Sequence, residues 1–159
     1  LLSLFVFRPL LTDLARDWEG ENIKEFTDIV KKMMILIGAL TIAACVGAYL
    51  LGIPILSLVY GVDLRAYRME LVIIMICGGL NAYVYCLYYV VTVTGKQIFL
   101  LLGYGAGLIF AVFLGSSFVK SLGMLGAALS CTLSFGVVFI VFLIITSCVV
   151  KDRKKKTEV

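Results

Sequence analysis

Histidine is absent from this chain of 159 residues, which removes the side chain that proteins most often use as a general base or metal ligand. Charged residues make up only 15% of the sequence, and there are only two prolines. The cysteines show no CxxC spacing and lie in apolar runs, which is typical of small buried residues rather than of disulfides or zinc sites. They are Cys45, Cys77, Cys86, Cys131 and Cys148. We therefore expect no enzyme, no metal site and no cofactor.

Apolar residues are in excess, at 62% of the sequence with a mean hydropathy of +1.11, which is more than one small soluble core could bury. Four apolar segments reach the length of about 20 residues that a helix needs to cross a bilayer. They are residues 33–58, 71–94, 98–119 and 124–150. The short breaks between them make neighbouring helices antiparallel. The sequence predicts an all-α, polytopic membrane helix bundle with four full transmembrane helices.

Three segments lie outside these four spans. Residues 1–8 are apolar up to an Arg-Pro pair, which predicts the end of a preceding transmembrane helix and hence a fragment of a longer protein. Residues 9–32 predict a cytoplasmic loop with a short interfacial helix anchored by Trp18, followed by a helix that begins near Ile23. Residues 151–159 predict a basic, mobile cytoplasmic tail.

The positive charges are unevenly distributed over the two ends of the predicted helices. Eleven of the 14 Lys and Arg residues fall on one side, whereas Arg65, Arg68 and Lys120 fall on the other. Because cytoplasmic loops carry the excess of positive charge, the chain is expected in the cytoplasmic membrane with its carboxyl terminus in the cytoplasm. The net charge of +4 follows mostly from this asymmetry and indicates membrane lipids, not nucleic acid, as partners.

One predicted span carries a stripe of polar residues. Asn81, Tyr85, Tyr88 and Thr92 follow the spacing i, i+4, i+7, i+11 and share a helix face, so they are candidates to line a substrate cavity. The alternative is that Thr92 and Tyr88 are interfacial and that Asn81 bonds to a neighbouring helix; we favour a cavity only for Asn81 and Tyr85. Amides, hydroxyls and rings favour a neutral, sugar-like or amphipathic substrate.

Three cations lie close to the predicted bundle. Arg65, Arg68 and Lys96 are candidates to contact a diphosphate or a lipid headgroup, although solvated loop charges are the commoner interpretation.

Small residues and one proline indicate how the helices pack. Gly103 and Gly107 form a GxxxG motif, and Gly123 and Gly126 follow, which predicts close packing of the third and fourth spans. Pro54 is expected to bend the first span, because it leaves the carbonyl of residue 50 without a partner.

The order of these features resembles a known family. The loop of residues 15–20, the run of residues 53–61, the Gly95-Lys96 turn and the segment 123–130 are similar to the carboxyl-terminal half of polysaccharide biosynthesis (oligosaccharide flippase) proteins. Their superfamily includes the multidrug and toxin extrusion transporters. The resemblance implies one half of a two-bundle transporter, with an amino-terminal helix bundle as its missing partner. It also implies that a polyprenyl-diphosphate-linked oligosaccharide is moved to the outer leaflet by alternating access.

Two alternatives to a flippase remain open. One is a drug or metabolite exporter coupled to protons or sodium, although coupling commonly uses an intramembrane carboxylate and Asp63 and Glu70 are expected to flank a span without entering it. The other is a stand-alone four-helix accessory protein whose interface is the glycine face.

Overall fold

The chain folds into helices joined by short turns. The computed structural model describes Trp18, Gly20 and residues 23–157; the predicted helix end at 1–8 and most of the predicted interfacial helix lie outside the described residues. No strand occurs in the part of the chain that the structure describes, and the all-α prediction is confirmed.

The first long helical stretch changes its geometry once. Helix α1 spans Ile23–Gly47, a π-helical turn spans Ala48–Gly52, and helix α2 spans Ile53–Tyr60. Pro54 lies in the first turn of α2, where a missing N–H costs least, and the wider π-helical turn precedes it. Helix α2 ends at Gly61, whose φ of 66° favours glycine and whose N–H donates to the carbonyl oxygen of Ser57 at 2.9 Å.

The second and third stretches follow after short turns. A 3-10 turn, Arg65–Tyr67, leads into helix α3, Arg68–Val93. A turn containing Gly95, with φ of 73°, leads into helix α4, Ile98–Thr157. Helix α4 is non-helical at Gly123 (φ 59°, ψ −130°). The sequence predicts two helices here, 98–119 and 124–150, and the structure extends the helix on both sides of Gly123.

The two halves of α4 fold back on each other at Gly123. The Tyr104 and Phe142 rings meet edge to face with their centroids 5.3 Å apart, and Gly107 lies against Val138. Residues at about equal distances along the chain before and after Gly123 therefore face each other. The halves 98–122 and 124–157 thus run antiparallel.

The end of α4 differs from the predicted mobile tail, because it remains helical to Thr157. The guanidinium carbon of Arg153 lies 4.3 Å from the centroid of the Trp18 ring, and its Nη2 donates to the Trp18 carbonyl at 3.0 Å. These contacts tie the last turns to the bundle.

Helix α3 is central, since it packs against both α1 and α4. Its largest buried contact joins Val84, Leu87 and Val91 to Leu100, Val138 and Phe142 of α4. On α1, Met33 and Ile37 pack on Cys86 of α3. Near the amino-terminal end of α1 a third cluster contains Trp18, Phe26, Val30, Val90 and Val149.

The surface of the bundle is apolar, as a lipid environment requires. Three helical stretches are long and apolar enough to cross a membrane: Lys24–Tyr60, Arg68–Val93 and Ile98–Arg153. Large side chains such as Leu58, Leu101 and Phe113 are mostly exposed on them. Water would make this exposure costly, whereas lipid does not.

Candidate functional site

The polar stripe of α3 lies at the edge of the bundle. Tyr85 is 51% exposed, whereas Asn81, Tyr88 and Thr92 are half-buried. The Thr92 hydroxyl donates to the Tyr88 carbonyl at 2.8 Å, so its hydrogen-bonding needs are met within the helix. The Tyr88 ring meets the Tyr89 ring edge to face at 5.5 Å. The stripe therefore combines side chains that are satisfied locally with others that are open to a ligand or another helix.

Asn81 carries the one side-chain amide of the stripe. This amide forms no hydrogen bond with any residue that the structure describes, although it lies midway along α3. An amide at this depth in a membrane needs a partner, which water, a substrate or another helix can supply.

Tyr104 of α4 extends the stripe across a helix contact, and the sequence analysis missed it. Its hydroxyl lies near those of Tyr85 and Tyr88. Tyr104 also lines a pocket of about 330 Å³ together with Ser130 and Ser134. The only signal in the sequence is a lone tyrosine between two glycines in an otherwise apolar segment. We call Asn81, Tyr85, Tyr88 and Tyr104 the tyrosine face.

The three predicted cations separate into two places. Arg65 and Arg68 line one open cleft of about 980 Å³ between the end of α2 and the start of α3. Lys96 lies in the turn at the other end of α3 and is exposed. We call the cleft lined by Ser57, Asp63, Arg65 and Arg68 the arginine cleft.

Glu70 is buried at the start of a helix, which the sequence did not predict. Helix α3 begins at Arg68, so Glu70 lies in its first turn. It is only 9% exposed, its Oε2 has no hydrogen-bond partner among the described residues, and it lines an apolar pocket of about 320 Å³. Ile53 of α2, Tyr67 of the 3-10 turn and Met124 of α4 line the same pocket.

The predicted glycines lie where the halves of α4 meet. Gly103 contacts Phe142 and Gly107 contacts Val138, so any side chain at these positions would collide with the other half. Gly126 lies against the Phe118 carbonyl next to the reversal at Gly123.

A second set of glycines, which the sequence analysis missed, lies between the first helical stretch and α3. Gly79 lies against Thr41, Gly38 faces the Tyr83 hydroxyl, and Gly52 of the π-helical turn faces Leu71. The two stretches therefore approach closely at these three positions. These glycines form no GxxxG motif, so only the pairing of the two helices reveals them.

These features define a class of protein: a helical chain with three helices long and apolar enough to cross a membrane, of which α3 and α4 carry the residues of the tyrosine face. Among the described residues, no three His, Cys, Asp or Glu side chains cluster closely enough to hold a metal ion. No protein-family model, curated protein or solved structure matches the chain.

Proposed function

We propose that this chain is the carboxyl-terminal helix bundle of a lipid-linked oligosaccharide flippase, and that the tyrosine face lines the path of the sugar. The observation that carries this proposal is the Asn81 amide, which has no partner within the described part of the chain. A helix that crosses a membrane retains such a group where water or a polar ligand meets it.

The chemistry of the tyrosine face suits a sugar. Tyrosine rings offer flat apolar surfaces, and their hydroxyls, with the Asn81 amide, offer donors and acceptors. The face carries no formal charge, which favours a neutral, amphipathic group over a bare ion. The resemblance of other segments of the chain to oligosaccharide flippases supports the same substrate class, a polyprenyl-diphosphate-linked oligosaccharide.

The proposal includes four crossings of the cytoplasmic membrane. Each half of α4 exceeds the length of about 20 residues that a crossing requires. With a reversal at Gly123, both the Lys96 turn and the carboxyl terminus then face the cytoplasm, in agreement with the excess of positive charge there. A second bundle opposite the tyrosine face would complete the path by alternating access.

Single-cysteine variants of a cysteine-free chain test whether the face is wet. We expect Asn81→Cys and Tyr85→Cys in membranes to react with a hydrophilic maleimide, because the reactive thiolate forms only in water. Val84→Cys, in the packed core, and Ile76→Cys, exposed on the apolar surface, are the controls. Equal protection of all four positions would contradict a water-lined path.

Substrate protection then tests the sugar assignment. Addition of a polyprenyl-diphosphate-linked disaccharide to proteoliposomes is expected to slow labelling of Asn81→Cys, whereas polyprenyl diphosphate without the sugar is not. Unchanged labelling with both lipids would contradict a sugar path at this face.

Glu70 favours a second candidate, an exporter of cationic compounds. A buried carboxylate in an apolar pocket is the type of group that binds an amphiphilic cation or a coupling ion. This alternative predicts that the purified chain binds tetraphenylphosphonium in equilibrium dialysis. The Glu70→Gln variant should lose this binding, and the Asp63→Asn variant should keep it. No binding by the unaltered chain would rule it out.

A further inference from the structure

The arginine cleft is a polar cavity between the end of α2 and the start of α3. Ser57 and Asp63 lie in it beside the two arginines, and apolar residues of α2 such as Pro54 and Leu58 form the rest of its wall. Leu58 is 85% exposed. The cleft thus combines two cations with an apolar border at the end of membrane-spanning helices, where lipid headgroups lie.

Arg68 is held in place with unused hydrogen-bonding capacity. Its guanidinium carbon lies 5.2 Å from the centroid of the Tyr49 ring in the π-helical turn, which orients the planar group. Its Nε is buried and has no hydrogen-bond partner among the described residues. A buried donor of a charged group without an acceptor is unfavourable, so an anion in the cleft would stabilise this arrangement.

Arg65 is only weakly engaged. Its Nε lies 3.8 Å from Oδ1 of Asp63, and the two side chains are 83% and 74% exposed. Such a pair contributes little in water. The same carboxylate oxygen accepts the backbone N–H of Arg65 at 3.0 Å, which keeps Asp63 at the cleft. The cleft therefore has an excess of one positive charge, and Arg65 can exchange its partner for an anion.

We propose that the arginine cleft binds the phosphate of a membrane lipid headgroup. Arg68, aligned by Tyr49, is the main ligand; Arg65 is the second, and Asp63 competes for it. Guanidinium groups match phosphate oxygens geometrically, and the apolar border accommodates the start of an acyl or polyprenyl chain. This inference does not depend on the transport proposal, because any lipid with an exposed phosphate fits it.

Native mass spectrometry of the purified full chain in detergent micelles tests the site. The probes are dioleoyl phosphatidic acid, polyprenyl diphosphate and, as a lipid without phosphate, dioleoylglycerol. We expect both phosphate lipids to be retained and dioleoylglycerol not to be. Arg68→Gln should weaken retention of the phosphate lipids about tenfold, as expected for loss of a charge-assisted hydrogen-bond pair. Arg68→Lys keeps the positive charge and should weaken retention less.

Two further variants separate a specific site from general charge. Lys120→Gln removes an exposed cation that does not line the cleft and should leave retention unchanged. Asp63→Asn removes the competitor of Arg65 and should strengthen retention by about twofold to fivefold. Circular dichroism of each variant checks that the helices are intact.

The outcomes also distinguish the source of the phosphate. Stronger retention of polyprenyl diphosphate than of phosphatidic acid supports a lipid-linked substrate as the occupant, and equal retention supports a general phospholipid. Displacement of both by inorganic diphosphate shows that the phosphate alone suffices. The proposal would be overturned if dioleoylglycerol were retained as well as the phosphate lipids. It would also be overturned if neither Arg68 variant changed the retention of the phosphate lipids.

Discussion

Gly79 shows how one missing side chain sets the distance between two helices. Any side chain at this position would meet the Thr41 side chain of α1. Both branches of the Thr41 side chain, Oγ1 and Cγ2, lie next to this position, and the hydroxyl donates to the Ile37 carbonyl at 2.7 Å. In a bilayer, where lipid competes equally well for apolar surface, such close backbone approach is a main source of helix association.

We therefore expect Gly79→Val to lower the free energy of unfolding by about 1–3 kcal/mol, the usual effect of overpacking a close contact. Gly78→Val is the matched control, since it changes the same residue type on the same helix and has open space around it. Unfolding in mixed micelles with increasing dodecyl sulfate, followed by circular dichroism, measures both. Equal losses would show that helix propensity, and not the contact with Thr41, determines stability here.

Helix α4 owes its shape to one backbone conformation. Gly123 adopts φ of 59° and ψ of −130°, a region that residues with a Cβ rarely enter. The residues on both sides of it have helical conformations, so the reversal depends on this residue.

Gly123→Ala is expected to destabilise the chain by about 1–3 kcal/mol in the same unfolding measurement, because alanine is strained in that conformation. Gly105→Ala is the control within the same helix. It lies in helical conformation with open space around it, so alanine should stabilise it by up to about 1 kcal/mol. A neutral Gly123→Ala would mean that the reversal does not need the left-handed conformation.

The packing of α3 on the second half of α4 can be tested with native residues. The Cys77 thiol of α3 lies close to Cys131 and Thr132 in the second half of α4. We expect copper phenanthroline in membranes to join Cys77 to Cys131 within one chain, as detected by mass spectrometry of the linked peptides.

Cys45 and Cys148 provide the comparison, since both are free thiols on other parts of the bundle. Crosslinks that join Cys77 to either of them as readily as to Cys131 would contradict the packing of α3 described here.

For the bundle as a whole, the number of crossings decides which residues share a side of the membrane. With four crossings, Asp63 and Ser121 lie on the outer side and Lys96 and Lys151 on the cytoplasmic side. All four positions are exposed at helix ends or turns.

Single cysteines at these four positions in sealed, right-side-out vesicles should therefore separate into two groups. An impermeant maleimide is expected to label Asp63→Cys and Ser121→Cys at once, and Lys96→Cys and Lys151→Cys only after the vesicles are opened. Labelling of Lys96→Cys and Ser121→Cys on the same side would mean that the first half of α4 does not cross the bilayer.

Much of the architecture was predictable from the sequence, and the site was predictable only in part. The all-α fold is confirmed, and the stripe of Asn81, Tyr85 and Tyr88 could be identified because helical spacing within one helix determines a shared face. Three features could not be predicted from the sequence, since each depends on a second helix. They are the burial of Glu70, the position of Arg68 over the Tyr49 ring and the approach of Tyr104 to the polar stripe of α3.

Composition and local chemistry determine the class of this protein. Long apolar runs require helices that satisfy their own backbone in lipid, and a glycine at Gly61, Gly95 or Gly123 permits the positive φ of a turn. The tertiary structure alone decides which helix faces meet, including the Gly79–Thr41 contact and the contact of Arg153, near the end of α4, with Trp18. The physical reason is that lipid and protein interiors are equally apolar, so hydrophobic periodicity does not mark the buried face of a membrane helix.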